Sequence, residues 1–344
     1  MTKYVLTSNF CKGYNHAGPK AKEDINYFLE KEGYHPLVLK LPTKRLSKLT
    51  YSLFKLPHLF KKETVNEIVF QYPLYSVFLT KEIIKTIRKK TNAKIIMIVH
   101  DYESLRKYKG NPHFLKDETQ IFNAVDCLII HTLPMKQKMK ANGIQTPMVV
   151  LKLFDYLNTY PLFLDTLYDH SICFAGNLEK STFLTKLHLI QCYAYLFGIA
   201  PAKHYPQNVK YEGAYPANQL PKYLKGDFGL VWDGASLDEK AKDCGTYAYY
   251  QRYNAPHKAS LYLSCGMPLI VADEAALSSL VRQYHIGLIV SSLDNLNGIL
   301  LQLSQKEYKV MKENAIKLGK KLRNGMMIKT ALQQAERIVS ERSE

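Results

Sequence analysis

The 344-residue chain has one tryptophan, Trp232, and its six cysteines form no Cys-x-x-Cys pair. The scatter of Cys11, Cys127, Cys173, Cys192, Cys244 and Cys265 argues against a structural zinc site and a disulfide framework. Several sit in apolar strand-like runs, so reduced, mostly buried thiols in a cytoplasmic protein are expected. No apolar run approaches the ~20 residues needed to cross a bilayer. The opening MTKYVLTSNF lacks the charged-then-apolar layout of a signal peptide and reads as a first strand. Acidic residues are few, 30 against 47 Lys and Arg, which leaves a net charge of +17. Beyond solubility, that excess points to an anionic partner: nucleic acid, an anionic membrane face or a phosphate-bearing substrate.

With 47% hydrophobic and 22% charged residues, the composition is globular, and the length suits two domains with separate cores. KYVLTS, PLVLKL, EIVFQYP, KIIMIV, CLIIHT and MVVLKL are continuous apolar runs of strand length, as in strands covered on both faces. Helical stretches alternate with them; one carries Ala21, Ile25, Phe28 and Leu29 on a single face. That alternation specifies a parallel α/β sheet. The rhythm breaks over 154–169, FDYLNTYPLFLDTLYD, and restarts with SICFAG, YAYLFGI, VKYEGAY, DFGLVW, MPLIVA and IGLIV, with helices expected after SICFAG and VKYEGAY. Two Rossmann-like domains facing across a cleft are expected: 1–155, 156–325, and a closing helix at 326–344 that packs back on the first.

Ligands bind such sheets at the carboxyl ends of their strands. In the second half GNLEKS, YEGAYP, FGLVWDG and NAPHKAS bring Lys180, Tyr215, Trp232 and Lys258 to one edge. In the last, Asn254 is placed as an N-cap, with Pro256 in the first turn and His257 and Lys258 following. Cations oppose the partial positive charge of a helix start, so such a turn suits an incoming anion. Lysines, helix starts and aromatics together describe a nucleotide-diphosphate pocket. Each feature alone is more often a solvated surface residue or an ordinary turn.

GNLEKSTF, DFGLVWDG, YNAPHKASLYLSCGMPLIV and HDYESLR resemble the glucosyltransferase 3 subfamily of GT-B glycosyltransferases, most strongly over 171–293. The resemblance implies a UDP-sugar-dependent hexosyltransferase, with the donor in the second domain, the acceptor in the first, and closure joining them. Glucose is the first choice of sugar; galactofuranosyl transfer in polysaccharide assembly, or a non-catalytic GT-B partner subunit, are alternatives. The acceptor would be a glycan, a glycoprotein or a lipid-linked sugar, and the enzyme a homo-oligomer. Carried onto this chain, the UDP-binding positions are His16 or Asn15, Lys180, Tyr215, and the helix start with Asn254, Pro256, His257, Lys258, Ala259 and Ser260. Lys180 stands where a relative has Arg, a point charge in place of a bidentate fork. His16 stands where a hydroxyl residue can occur. The chain contains no Asp-x-Asp, a motif that commonly holds the metal in the other major glycosyltransferase fold. Leaving-group stabilisation by Lys180, Lys258 and helix ends, without metal or cofactor, is therefore expected.

In the first half, YNHAGPKAKEDI joins a strand to a Pro-started helix, and VHDYESLR sets His100 and Asp101 at a strand end. Either could take the proton of an acceptor hydroxyl; equally, Asp101 could cap a turn and His100 make a structural bond. The segment 43–62 carries six Lys or Arg and no acid, with leucines and aromatics between them. It suits an anionic membrane face, or a core-facing helix with a solvated basic side. No nucleic-acid reading motif accompanies the charge, so nucleic acid is not an expected partner.

Overall fold

The computed structural model describes residues 2–8, 17–60, 65–165, 167–238, 240 and 245–342. The chain divides into two units, one drawn from Met1–Lys12, Lys22–Leu151 and Ile328–Glu344, the other from Gly13–Ala21 and Lys152–Met327.

In the first unit the elements run β1 (Thr2–Ser8), α1 (Ala17–Glu30), β2 (His35–Leu39), α2 (Arg45–Thr50), a π-helical turn (Tyr51–Lys55), α3 (Leu56–Leu59), β3 (Val65–Tyr72), α4 (Val77–Lys90), β4 (Lys94–Val99), α5 (Pro112–Asn123), β5 (Cys127–Ile130), α6 (Leu133–Ala141) and β6 (Met148–Val150). The strands form one parallel sheet in the order β2-β1-β3-β4-β5-β6. The apolar runs of β3, β4 and β5 are almost wholly buried, as strands covered on both faces must be. Ala21, Ile25, Phe28 and Leu29 of α1 are all buried. Lys22, which shares their face at three- and seven-residue spacings, is buried with them.

The second unit adds β7 (Ser171–Ala175), β8 (Tyr193–Phe197), β9 (Val209–Gly213), β10 (Phe228–Val231), α7 (Gly245–Gln251), α8 (His257–Ser264), β11 (Leu269–Ala272), α9 (Ser278–Tyr284), β12 (Gly287–Val290), α10 (Leu296–Gln302) and α11 (Gln305–Arg323). Its sheet is again parallel, in the order β12-β11-β10-β7-β8-β9. Side chains alternate between two apolar layers. Cys173, Val231, Leu269 and Val271 face α8 and α11, while Ile172, Phe174, Leu230, Trp232 and Ile270 face the other way. The last helix, α12 (Met326–Glu341), lies largely in the first unit, where Glu336 accepts from Lys3 Nζ at 2.6 Å and from Tyr34 Oη at 3.0 Å.

Helices were expected after SICFAG and VKYEGAY; short 3-10 turns stand there instead, at Leu178–Lys180, Thr182–Thr185 and Leu220–Lys222. Local side chains supply the reason for the first two. Asn177 Oδ1 accepts from Glu179 N, Ser181 Oγ donates to Asn177 O, and Thr185 Oγ1 donates to Thr182 O, all bonds that compete with a helical ladder. Cys127, Cys173, Cys192 and Cys265 are free and buried; Cys11 and Cys244 lie outside the described residues.

One contact fixes the position of α8. A Cβ at Gly229 of β10 would stand 2.1 Å from the Tyr262 ring, so only glycine lets that helix lie so close. Gly229→Ala should therefore lower stability by roughly 1–3 kcal/mol through overpacking. Gly298→Ala, inside α10 with nothing within 4 Å of the added carbon, should raise it by about 0.5–1 kcal/mol. Urea melts of the two variants test the contrast, and equal midpoints would show that α8 can retreat without cost.

Candidate functional site

Tyr262 is fully buried, and its Oη accepts the N–H of Ala175, the last residue of β7, at 2.7 Å. At the carboxyl end of α8, Ser264 O accepts from Arg323 Nε at 2.6 Å and from Asn158 Nδ2 at 3.2 Å. Held at both places, α8 presents its amino end beside the ends of β7 and β10. There Lys258 Nζ donates to Trp232 O at 2.9 Å and to Asp233 Oδ1 at 2.7 Å, and lies 4.5 Å from the Phe174 ring centroid. The ammonium has three protons, so two are engaged by these oxygens. Asp233 is steadied by Gln251 Nε2, which donates to its other oxygen at 2.8 Å.

This arrangement corrects the expected helix start in three ways. The helix begins at His257 with Pro256 in the cap position, and Pro256 offers no side-chain acceptor; Asn254 lies too early to cap. A proline disfavours helical geometry in the residue before it, which pushes the start past Ala255. Second, Lys258 is not an uncompensated cation, because Asp233 neutralises it. Third, His257 carries no charge near neutral pH. Burial, with the nearby Lys20 ammonium adding to it, lowers its pKa to about 3. Its ring lies 4.9 Å from that of Tyr156, over which Lys20 Nζ sits at 4.5 Å while donating to Leu157 O.

The stretch around this helix start concentrates unsatisfied groups. Gln251 Oε1, Arg252 Nε, Asn254 Oδ1, His257 Nε2 and Ser260 Oγ are buried with no partner among the described residues. Each such group costs about 1–3 kcal/mol unless a ligand or solvent meets it. Ala259 is buried and its N–H bonds Pro256 O at 2.9 Å.

Other expected donor-site residues are placed less directly. Lys180 ends a 3-10 turn, donates to Tyr247 Oη at 3.1 Å and stands 4.8 Å over the same ring. Tyr215 is half-buried, stacked on Tyr223 at 3.9 Å, with its hydroxyl donating to Glu212 O. The Trp232 indole, expected at the pocket, is fully buried in the apolar layer away from α8 and donates to Ser236 O. Only its backbone carbonyl serves the site. Asn15 and His16 lie outside the described residues. Asp233, Gln251, Tyr247 and Lys20 do not stand out in the sequence; the WDG motif contains the first of these, one residue beyond the expected aromatic.

The first unit gathers a different set at the ends of β3 and β4. Gln71 Nε2 donates to Asn26 Oδ1 at 2.7 Å and to Lys22 O at 3.2 Å, so its Oε1 accepts from His100 Nε2 at 2.8 Å. The proton of His100 is therefore assigned to Nε2. Asp101 pairs with Arg106 at 3.1 Å, and Arg106 also binds Glu103 at 2.5 Å. Buried Lys22 donates to Pro73 O at 2.5 Å. Desolvation lowers its pKa to about 7 against the pull of Asp101 and Glu103. Tyr75, with φ of 58°, lies 5.6 Å from Lys22 Nζ and is 57% exposed.

Comparison with known proteins agrees with both halves. The model for the glucosyltransferase 3-like N-terminal domain matches residues 3–153, and that for the C-terminal domain matches 172–335. A β-1,6-galactofuranosyltransferase, WbbI of Escherichia coli K12, is 27% identical over 276 residues, 79% of each chain. Glucosyltransferase 3 of Streptococcus gordonii is 27% identical over 250 residues, 71% of each. Among solved structures, Anabaena HepE in complex with UDP-glucose aligns with a TM-score of 0.64 at 12% identity, over 99% of this chain and 100% of that one. The fold is that of GT-B glycosyltransferases.

The buried lysine gives this region a pH signature. Its folded pKa lies below the ordinary 10.5. Between about pH 7 and 10.5 the unfolded chain binds more protons, so Lys22 adds stability as pH rises through that window. Lys22→Met removes the contribution. Relative to the parent, the variant should lose on the order of 3 kcal/mol between pH 7 and 10. Urea melts across this range measure it, and a pH-independent difference would place the ammonium in solvent.

Proposed function

The chain belongs to the glucosyltransferase 3-like family, and from that premise we propose that it transfers a hexose from a UDP-sugar to a sugar hydroxyl. The acceptor is a glycoprotein or a surface polysaccharide, and the enzyme works in the cytoplasm. Glucose is the assigned sugar, after the streptococcal relatives; galactofuranose is the alternative, after WbbI. The observation that carries the donor-site reading is the start of α8. It is an uncapped helix end holding Lys258 among buried polar atoms without partners. Free N–H groups at a helix start, with a cation beside them, bind phosphate.

In this reading the UDP diphosphate meets the N–H groups of His257 and Lys258, the Ser260 hydroxyl and the remaining proton of Lys258. Lys180 adds a second charge, Tyr215 borders the base, and Asn254 and neutral His257 accept hydroxyl protons. Asn15 or His16 completes the donor contacts. As the glycosidic bond breaks, negative charge grows on the UDP β-phosphate, and Lys258 with the helix end stabilises it more than the ground state. No metal is assigned to this step. In the first unit Asp101, or His100 through its ring, takes the proton of the attacking hydroxyl.

Lys258→Gln is expected to weaken UDP binding by about 1.5–3 kcal/mol and to lower turnover at least as much. Because the change also leaves Asp233 without its cation, the unliganded variant should lose stability, not gain it. Thermal melts with and without UDP separate the two effects. An unaltered UDP-induced shift would remove the main support for this donor site. Parent turnover should also survive EDTA.

Asp101→Asn should reduce turnover by about 10²–10⁴-fold with little change in UDP affinity. Near-full turnover in a UDP-release assay would make Asp101 a structural partner of Arg106 and transfer the base to His100.

A further inference from the structure

The helical segment that begins at Arg45 has an outer face that the fold leaves bare. Tyr51, Ser52, Leu56 and Phe60 turn inward and are buried. Leu46, Leu49, Leu53 and Phe54 are exposed, at 73%, 47%, 60% and 67% of their surface. No residue of α2 is buried at all. The i, i+3, i+7 spacing of the three leucines sets them along one helical side. The π turn adds a residue to the ladder, with Leu56 N–H bonded to Tyr51 O, and across it the segment carries both the exposed Leu53 and Phe54 and the buried Leu56. Lys44, Arg45, Lys48 and Lys55 lie among the apolar side chains, and residues 43–60 contain no acid.

Neither half of this pattern is what solvent alone selects. Four large apolar side chains on one short segment form a patch of the kind that marks a partner surface. The surrounding cations select a partner that is both anionic and able to take up apolar groups. A second copy of the chain would bring a like-charged face and a net charge of +17 of its own. Nucleic acid would meet the cations but leave the leucines in water.

We propose that the face formed by Leu46, Leu49, Leu53 and Phe54 docks on an anionic lipid bilayer. The apolar side chains enter the boundary between headgroups and acyl chains, while the flanking ammonium and guanidinium groups pair with lipid phosphates. The helix lies in the interface plane; no helix among the described residues is long and apolar enough to cross it. Docking adds a surface to the transfer reading and does not depend on it.

The test is co-sedimentation of the full chain with phosphatidylglycerol–phosphatidylcholine vesicles and with phosphatidylcholine vesicles. Binding should require the anionic lipid and weaken with salt. Lys44→Ser, Arg45→Ser and Lys48→Ser together should reduce it on the order of 100-fold. Leu53→Ser with Phe54→Ser should reduce it at least about 10-fold, while the melting temperature and the UDP-induced shift stay as in the parent. No binding, equal binding to both vesicle types, or binding that survives both sets of substitutions would overturn the proposal. So would sedimentation velocity without lipid in which the parent self-associates and the Leu53→Ser, Phe54→Ser variant does not, since the face would then join copies of the chain.

Discussion

The contact between Tyr262 and Gly229 governs the second unit. A helix ordinarily stands off a sheet by the length of its side chains. Here a bare glycine backbone receives an aromatic ring, and the ring's hydroxyl satisfies the last N–H of β7. The first turn of α8 therefore comes close enough to the strand ends for Lys258 to reach the Trp232 carbonyl and Asp233. A longer residue at 229 would push the ammonium away from both. Position in this site is set in the apolar layer beneath it, and the charged residues inherit that position.

Charge in the site is correspondingly restrained. The sequence suggests two cations in the first turn of α8, but burial and Lys20 keep His257 neutral. The remaining cation already has a carboxylate. Asp233 holds Lys258 in one orientation before any ligand arrives, which limits the ordering an incoming anion must impose. The groups left without partners are mostly neutral: amide oxygens, a hydroxyl, an imidazole nitrogen. For the proposed donor site this composition favours selection by hydrogen-bond geometry over bulk attraction, although the chain carries a large positive charge overall.

Strands are legible in this sequence because a continuous apolar run of five or six residues suits little but a strand covered on both faces. Sheet edges and strand ends follow from the strands, and so does the meeting of Trp232 and Lys258 beside the ends of β7 and β10. Short turns are less legible. Asn177 and Ser181 favour local bonds whose effect on a helix depends on geometry a few residues away. Pro256 illustrates the same limit: it suits either the first helical turn or the cap, and its extended ψ of 138° makes it the cap. Trp232 misleads for another reason. Alternation along β10 sends its side chain to the layer opposite α8, and a lone aromatic at a strand end does not announce its face. Lys22 shares the spacing of Ile25 and Leu29, but a lysine on an apolar helical face is easily passed over.

Each unit gathers its own set of polar groups. Around α8 the second offers donors: helix N–H groups, Lys258 and, on its own turn, Lys180. At the ends of β3 and β4 the first holds Asp101 and Glu103, both paired with Arg106, and an imidazole whose Nε2 proton is committed to Gln71. Lys22 shows how narrow the balance is within the first unit. Desolvation lowers its pKa to about 7 against the pull of Asp101 and Glu103, which raise it.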